Sequence, residues 1–231
     1  MNIIWLGHGS FRIEIEDQVL LIDPWLHDNP MLDEGHHDAA MKDVTHILVT
    51  HAHFDHITDV VEVSKQTGAP VSGMVELAGY LHGQGAEEGM AFNMGGTIPL
   101  DDKATASLVP ASHSSTADVD GKPLHLGNEG GFIIKGEGRT IYVSGDTGIM
   151  ADMDWIGDYY KPDIGILSAC GCYTMGRAEG AYAEKRYFNF KTVIPCHYRT
   201  FEALEQSADA LKDGLPGVDV IEPEVMKAIS L

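Results

Sequence analysis

Thr50-His-Ala-His-Phe-Asp-His-Ile57 places four side chains of metal-ligand type, His51, His53, Asp55 and His56, within six residues. The stretch before it, His46-Ile-Leu-Val-Thr50, is short, apolar and β-branched, which predicts a buried strand delivering the cluster into a loop at its C-terminal end. Such loops on rigid strands are where sites are built in α/β proteins. His51 and His53 alternate by two and can reach one point from an extended chain. Asp55 and His56 lie where the chain turns into a predicted helix, Ile57 to Gln66, and can face a second point nearby. Neither pair completes a tetrahedral shell, so further ligands must come from elsewhere.

Three later segments repeat the setting. His113 follows Ala106-Ser-Leu-Val-Pro-Ala111, Asp146 follows Thr140-Ile-Tyr-Val-Ser-Gly145, and His197 follows Lys191-Thr-Val-Ile-Pro-Cys196. Taken singly, a His or Asp after a strand is more often a hydrogen-bonded turn residue. Seven residues of ligand type recurring at strand ends is improbable as coincidence, and the strands are expected to aim them at one edge of a sheet.

At this point the chain resembles the metallo-β-lactamase-fold hydrolases, whose pattern runs His-x-His-x-Asp-His, then a His, a bridging Asp and a last His. Within that superfamily, Gly7-His-Gly-Ser-Phe11, Leu21-Ile-Asp-Pro-Trp25, Ala111-Ser-His-Ser-Ser115, Tyr173-Thr-Met-Gly176 and Val193-Ile-Pro-Cys-His-Tyr198 are similar to the UPF0173 group and its ascorbate-6-phosphate lactonase-like relatives. The resemblance implies that His51, His53 and His113 hold one metal ion, that Asp55, His56 and His197 hold a second, and that Asp146 bridges them. Such a centre provides a metal-bridging hydroxide as nucleophile, suited to ester, lactone or phosphoester hydrolysis. Zinc is the first expectation for these nitrogen-rich, thiolate-free ligands, with manganese, iron or nickel fitting the same shell. In the oxygen-reducing diiron branch of the fold the middle histidine position is typically Glu, and here it is His53, which favours hydrolysis. The alternatives weighed are a mononuclear-iron oxygenase of the persulfide-dioxygenase type and a non-catalytic metal-binding protein.

Asp55, Asp146, His8 and Tyr198 are the residues expected at the reacting centre. His8, in the Gly-His-Gly-Ser loop that the resemblance places near the cleft, either binds substrate or protonates a leaving group, or is a structural histidine. Tyr198 either donates to a substrate oxygen or is a packed ring. Asp23 either accepts from a ligand histidine and fixes its tautomer, or forms an Asx-type turn ahead of Pro24. His27, His36, His37, His46, His82 and His125 lack a partner at ligand spacing and are expected at the surface. The segment from His27 to Asp38 reads as a solvated loop or a lid. With the Leu81 to Gly85 and Ser112 to Gly121 loops, it is expected to shape the pocket.

The 231 residues contain no linker, charge block or repeat, and the proposed ligands scatter from residue 51 to 197, so one domain over residues 1–231 is expected. Strand-like runs alternate with helical ones, predicting an α/β sandwich of two sheets packed face to face with helices outside, and the resemblance implies that this is the metallo-β-lactamase-type αββα arrangement with two mixed sheets. Predicted helices cover Ile57–Gln66, Val75–Leu81, Arg177–Phe188 and Thr200–Asp213. The three cysteines make no disulfide framework, and the N-terminus lacks the pattern of a secretory signal, which together suggest a cytoplasmic setting. Cys172 and Cys196 are candidate ligands, but a residue adjacent to a ligand on a strand points to the opposite face, so a buried structural thiol is expected for Cys196. No apolar run is long enough for a membrane span. A formal charge of −20 repels nucleic-acid phosphates, so a small-molecule substrate is expected, with no nucleic-acid or membrane partner and with homo-oligomerisation open.

Overall fold

Every β-branched or apolar run predicted as a strand forms one, and the order in which strands pair explains why the ligand-type residues meet. In the computed structural model, which describes residues 1–231, the chain begins with β1 (Asn2–Gly7), β2 (Ser10–Ile15), β3 (Gln18–Ile22), β4 (His46–Val49), β5 (Val71–Met74) and β6 (Glu88–Phe92). It continues with β7 (Thr97–Pro99), β8 (Thr105–Pro110), the small hairpin β9 (Thr116–Val119) and β10 (Lys122–His125), then β11 (Gly130–Gly136), β12 (Arg139–Val143), β13 (Ile164–Ser168), β14 (Thr192–Cys196), β15 (Asp219–Val220) and β16 (Ala228–Ser230). Two seven-stranded sheets result, ordered β16-β1-β2-β3-β4-β5-β6 and β15-β14-β13-β12-β11-β8-β7. In each, a stretch of antiparallel pairing passes into parallel pairing, at β3–β4 in the first and at β12–β13 in the second. Parallel strands need crossovers, and these supply the helices.

The helices are α1 (His37–Met41), α2 (Phe54–Ile57), α3 (Val60–Thr67), α4 (Val75–Gly83), α5 (Met153–Tyr160), α6 (Arg177–Tyr187) and α7 (Asp209–Gly214). The main core lies between the sheets, where Ile13 and Leu48 of the first meet Ile134 and Ile166 of the second. Phe132 and Ile134 point into it, while Ile133 between them joins a second apolar layer with Met153, Ile156, Ala181 and Leu211 under α5, α6 and α7. The two-residue period of β11 thus sends alternate side chains to opposite layers. Both faces of β5, β13 and β14 are covered, which accounts for the absence of charged residues from all three. The α/β sandwich expected from the sequence is the observed fold. No helix is long and apolar enough to cross a membrane.

Several boundaries differ from the sequence reading. The helix predicted from Ile57 starts earlier and breaks into α2 and α3, because the Asp59 carboxylate is drawn to the backbone N–H groups of Leu26 and His27 at 2.6 and 2.9 Å. The helix predicted over Thr200–Asp213 shrinks to α7. Arg199 is left-handed at φ 67°, and Glu205 is held by backbone hydrogen bonds to Arg199 and Cys170, so the intervening residues form turns. Helix α5 and the short strands β6, β7, β9, β10 and β16 were not anticipated.

The segment from His27 to Asp38 is not a lid. It winds into a 3-10 turn at Glu34–His36 and then α1, and His27 Nδ1 lies 3.0 Å from Asp59. His37, expected at the surface, is buried with its ring edge-on to His27. His46 and His82 are half-buried, His82 bonding to the Val71 carbonyl, whereas His27, His36 and His125 are exposed as expected.

Close packing of α5 on α6 depends on Gly157, where a Cβ would fall 1.9 Å from the Tyr187 carbonyl oxygen. Backbone cannot yield as a flexible side chain does. Gly157→Ala is therefore expected to destabilise the protein by about 2 kcal/mol, measured as a lower urea midpoint at unchanged m. An unchanged midpoint would show that the helices can separate at no cost.

Candidate metal centre

The ligand-type residues converge because β4, β8, β12 and β14 all end at the same edge of the sandwich. His51, His53, Asp55 and His56 follow β4, His113 follows β8, Asp146 follows β12 and His197 follows β14. His8, from the β1–β2 turn, and Asp23, at the end of β3, join them. His8, Asp23 and His197 adopt left-handed backbone, with φ of 52°, 46° and 56°. Such conformations are uncommon in non-glycine residues and cluster at sites where tertiary contacts enforce them. One such contact is the hydrogen bond from the His197 amide to the His8 carbonyl at 2.9 Å. Gly145, at φ 57°, turns the chain just before Asp146, and a Cβ there would meet the Gly130 carbonyl at 2.6 Å.

Two groups of donor atoms form. In the first, His53 Nδ1 lies 3.0 Å from His51 Nε2 and 3.2 Å from His113 Nε2. In the second, Asp55 Oδ2 stands 3.7 Å from His56 Nε2 and 3.4 Å from His197 Nε2. Asp146 Oδ2 lies between them, 3.9 Å from His51 Nε2, 3.6 Å from His113 and His56 Nε2, and 3.0 Å from His197 Nε2. These donors meet the requirement for divalent metal: nitrogen and carboxylate oxygen, mutually close, with buried His56 Nε2 and His197 Nε2 left without hydrogen-bond partners.

The far nitrogens are held by the protein. Asp23 Oδ2 accepts from His56 Nδ1 at 2.7 Å, and the Asp23 carboxylate also receives the Thr50 backbone N–H at 2.7 Å and its hydroxyl. Thr50 Oγ1 in turn lies 3.0 Å from His51 Nδ1. One carboxylate therefore orients two histidines, with Thr50 as relay. Ser114 Oγ, 3.2 Å from His53 Nε2, leaves His53 Nδ1 free to face the first group. Neither Thr50 nor Ser114 was singled out in the sequence, although each adjoins a strand-end histidine.

His8 is fully buried between Thr200 Oγ1, 2.8 Å from its Nδ1, and Asp55 Oδ2, 2.7 Å from its Nε2. Burial, reinforced by His197, lowers its pKa to about 4 despite the Asp55 hydrogen bond. The neutral ring then donates Nε2–H to Asp55 and accepts the Thr200 hydroxyl at Nδ1. Tyr198 does not reach the cleft: it is fully buried, its ring stacks on Trp5, and its hydroxyl faces Glu222 at 3.5 Å. The strand ends at Cys196 and the chain bends at left-handed His197, which turns Tyr198 into the core while His197 faces the centre. Cys172 is exposed and Cys196 is a buried thiol whose pKa burial pushes up. The cysteine that neighbours His197 is Cys170, whose sulfur accepts the Tyr173 amide at 3.2 Å. Burial opposes its ionisation, but the neighbouring His197 and nearby backbone amides bring the thiol down to about 7. Its position just past β13 was the signal that could have found it.

Burial keeps His51, His53 and His113 neutral, with pKa values below the usual imidazole range. His56 is different: burial disfavours its charge, yet the carboxylates of Asp146, Asp55 and Asp23 raise it to about 10. His197 is raised well above its ordinary value, burial being outweighed by Asp146 and Asp55. Burial likewise disfavours the charged forms of Asp55 and Asp146, and the surrounding imidazoles override it to hold both carboxyls well below their ordinary value. Without metal, protons on His56 and His197 balance these carboxylates. For His56, with a folded pKa of about 10 above its ordinary 6.5, this stabilisation is complete below the ordinary value and disappears as pH rises through the folded one. The metal-free protein should therefore melt at progressively lower temperature between roughly pH 7 and pH 10, by at least a few degrees. The metal-loaded protein should vary less, because cations replace the protons. Paired thermal melts with chelator and with zinc test this, and a chelated midpoint that climbs across that window would contradict it.

The cleft above these atoms has a volume of about 430 Å³. Its apolar walls are Phe54, Tyr173, Phe201 and Ala203, with Ser114 at one side. Of the three loops expected to shape it, only the one carrying His113 and Ser114 contributes; the His27–Asp38 and Leu81–Gly85 segments do not line it.

Residues 18–198 match the family described as Beta-lactamase superfamily domain. A UPF0173 metal-dependent hydrolase from Roseobacter denitrificans is 63% identical over 229 residues, covering 99% of each chain. One of the same description from Ruegeria pomeroyi is 59% identical over the full length of both. Among solved structures, a metallo hydrolase from the archaeon Ignicoccus hospitalis superposes with a TM-score of 0.86 at 29% identity, covering 99% of this chain and 97% of its own.

Proposed function

Because this chain belongs to the beta-lactamase superfamily and, within it, to the UPF0173 metal-dependent hydrolases, we propose that it hydrolyses a small-molecule ester, lactone or phosphoester at a dinuclear metal centre. His51, His53 and His113 would hold one ion, Asp55, His56 and His197 the other, and Asp146 both. The observation that carries the reading is the position of Asp146 Oδ2 within 3.9 Å of imidazole nitrogens from both groups. Two divalent ions, zinc foremost and manganese, iron or nickel as alternatives, would supply a hydroxide nucleophile at neutral pH and a Lewis acid for the electrophilic oxygen.

The chain's own residues do the rest. Asp23 fixes His56 directly and His51 through Thr50, so the ligand nitrogens are presented in one tautomer. His8 donates to Asp55 and orients its carboxylate, which supports a positioning role over that of a general acid. The apolar rings beside the cleft lower the local polarity, which strengthens electrostatic interactions there. Nothing in this chemistry needs a nucleic-acid or membrane partner, and a cytoplasmic setting suits the three free cysteines.

The test is elemental analysis of protein purified without added metal, run beside a panel of aryl esters, lactones and bis-aryl phosphodiesters. Close to two ions per chain with chelator-sensitive turnover is expected. One iron per chain with oxygen consumption and no hydrolysis would overturn the reading.

A further inference from the structure

Three aromatic rings stand over the candidate centre with much of their surface in water: Phe54 is 63% exposed, Tyr173 63% and Phe201 40%. Phe54 lies between His53 and Asp55, whose side chains are committed below, so its ring projects over the cleft. Trp25, only 4% exposed, packs against two of the rings. It meets Phe54 edge-on at 5.8 Å between centroids and Phe201 at 6.2 Å, while Phe201 also lies 5.6 Å from the His8 ring. These separations fall within the favourable range for aromatic pairs, so Phe54 and Phe201 are supported before any ligand arrives.

Beyond the metal ions themselves, no side-chain cation stands where an anionic group would be recognised. No Lys or Arg lines the cleft, and its carboxylates are Asp55 and Asp146. Arg199, two residues before Phe201, instead lies over the Tyr198 ring at 5.7 Å. Sites that select a phosphate or carboxylate group ordinarily use the Arg fork or a Lys beside the reacting centre. The net charge of −20 also opposes the approach of an anion.

We infer that the substrate is an uncharged carboxylic ester or lactone bearing an aromatic or similarly bulky apolar group, which seats against Phe54, Tyr173 and Phe201 while its carbonyl faces the ligand cluster. This rests on the hydrolase reading and narrows it by setting aside phosphoesters. Hydrolysis adds water across the acyl C–O bond: hydroxide bonds to the acyl carbon, the alcohol leaves with a proton, and no redox partner is needed. Burying one phenyl group against these rings should favour an arylacyl substrate over its acetyl counterpart by at least about 10-fold.

The experiment uses the metal-loaded protein and compares phenylacetate and acetate esters of one alcohol with phenyl phosphate. Alongside turnover, the affinities of phenylacetohydroxamate and acetohydroxamate are followed by tryptophan fluorescence. Expected are a kcat/KM ratio and an affinity ratio of about 10 or more for the phenyl members, both falling towards one in the Phe54→Ala, Phe201→Ala double variant. Equal values for the paired esters or hydroxamates in the unmodified protein, or preferred turnover of phenyl phosphate, would overturn the inference. Absence of all hydrolysis by metal-loaded protein would count against the hydrolase reading, while the hydroxamate ratio would still decide the character of the pocket.

Discussion

Asp146→Asn is expected to lower kcat/KM by at least about 10³-fold and to reduce the bound metal below two ions per chain while the protein remains folded. Asparagine keeps the shape of the side chain and its buried position but removes the negative charge that faces His51, His56, His113 and His197. An amide is a poor bridge between two cations, and the imidazoles around it lose their counter-charge. Because the loss concerns both donor groups, restoring one ion should not restore turnover. Kinetics beside elemental analysis and circular dichroism check this. Full activity with two ions bound would remove Asp146 from the centre, and His113→Ala, which subtracts a ligand from the first group alone, should also abolish hydrolysis.

Asp23→Ala should produce the largest loss of stability among the residues around the site, about 3 kcal/mol, together with a roughly 10- to 100-fold weaker metal affinity. Asp23 is 1% exposed and its carboxylate takes three hydrogen bonds, from His56 Nδ1, the Thr50 amide and the Thr50 hydroxyl. Truncation leaves those donors buried without partners. It also frees two ligand histidines to rotate, one of them through Thr50. Urea unfolding of the chelated protein isolates the structural part, and competition with a zinc indicator isolates the metal part. Unchanged zinc affinity would mean that the histidines are held by packing alone. Asp23→Asn should fall between the two, since it keeps an acceptor but lacks the charge.

The metal motif and the strands were legible in the sequence because their signals are local. A β-branched run followed by a ligand-type residue needs no knowledge of distant contacts, and this holds at His51, His113, Asp146 and His197 alike. Helix α5 was missed because its buried residues, Met153 and Ile156, make one short stripe among Gly157 and exposed aromatics. The helix expected over Thr200–Asp213 failed for the opposite reason: its local pattern was adequate, but bonds to Cys170 and Arg199, distant or strained, drew the segment into turns.

The order of ligand-type residues along the chain and its strands were therefore determined by sequence, since both follow from periodicity and residue chemistry. Only the tertiary structure decided which side chains share a point in space. It placed Asp146 between the two groups, set Asp23 behind His56 and Thr50, turned Tyr198 into the core, drew Cys170 to His197, and left Phe54, Tyr173 and Phe201 over the cleft. The physical reason is that each of these depends on backbone direction at a strand end, often a left-handed residue such as His8, Asp23 or His197. That direction is fixed by contacts between segments far apart in the chain, not by the residue's own preference.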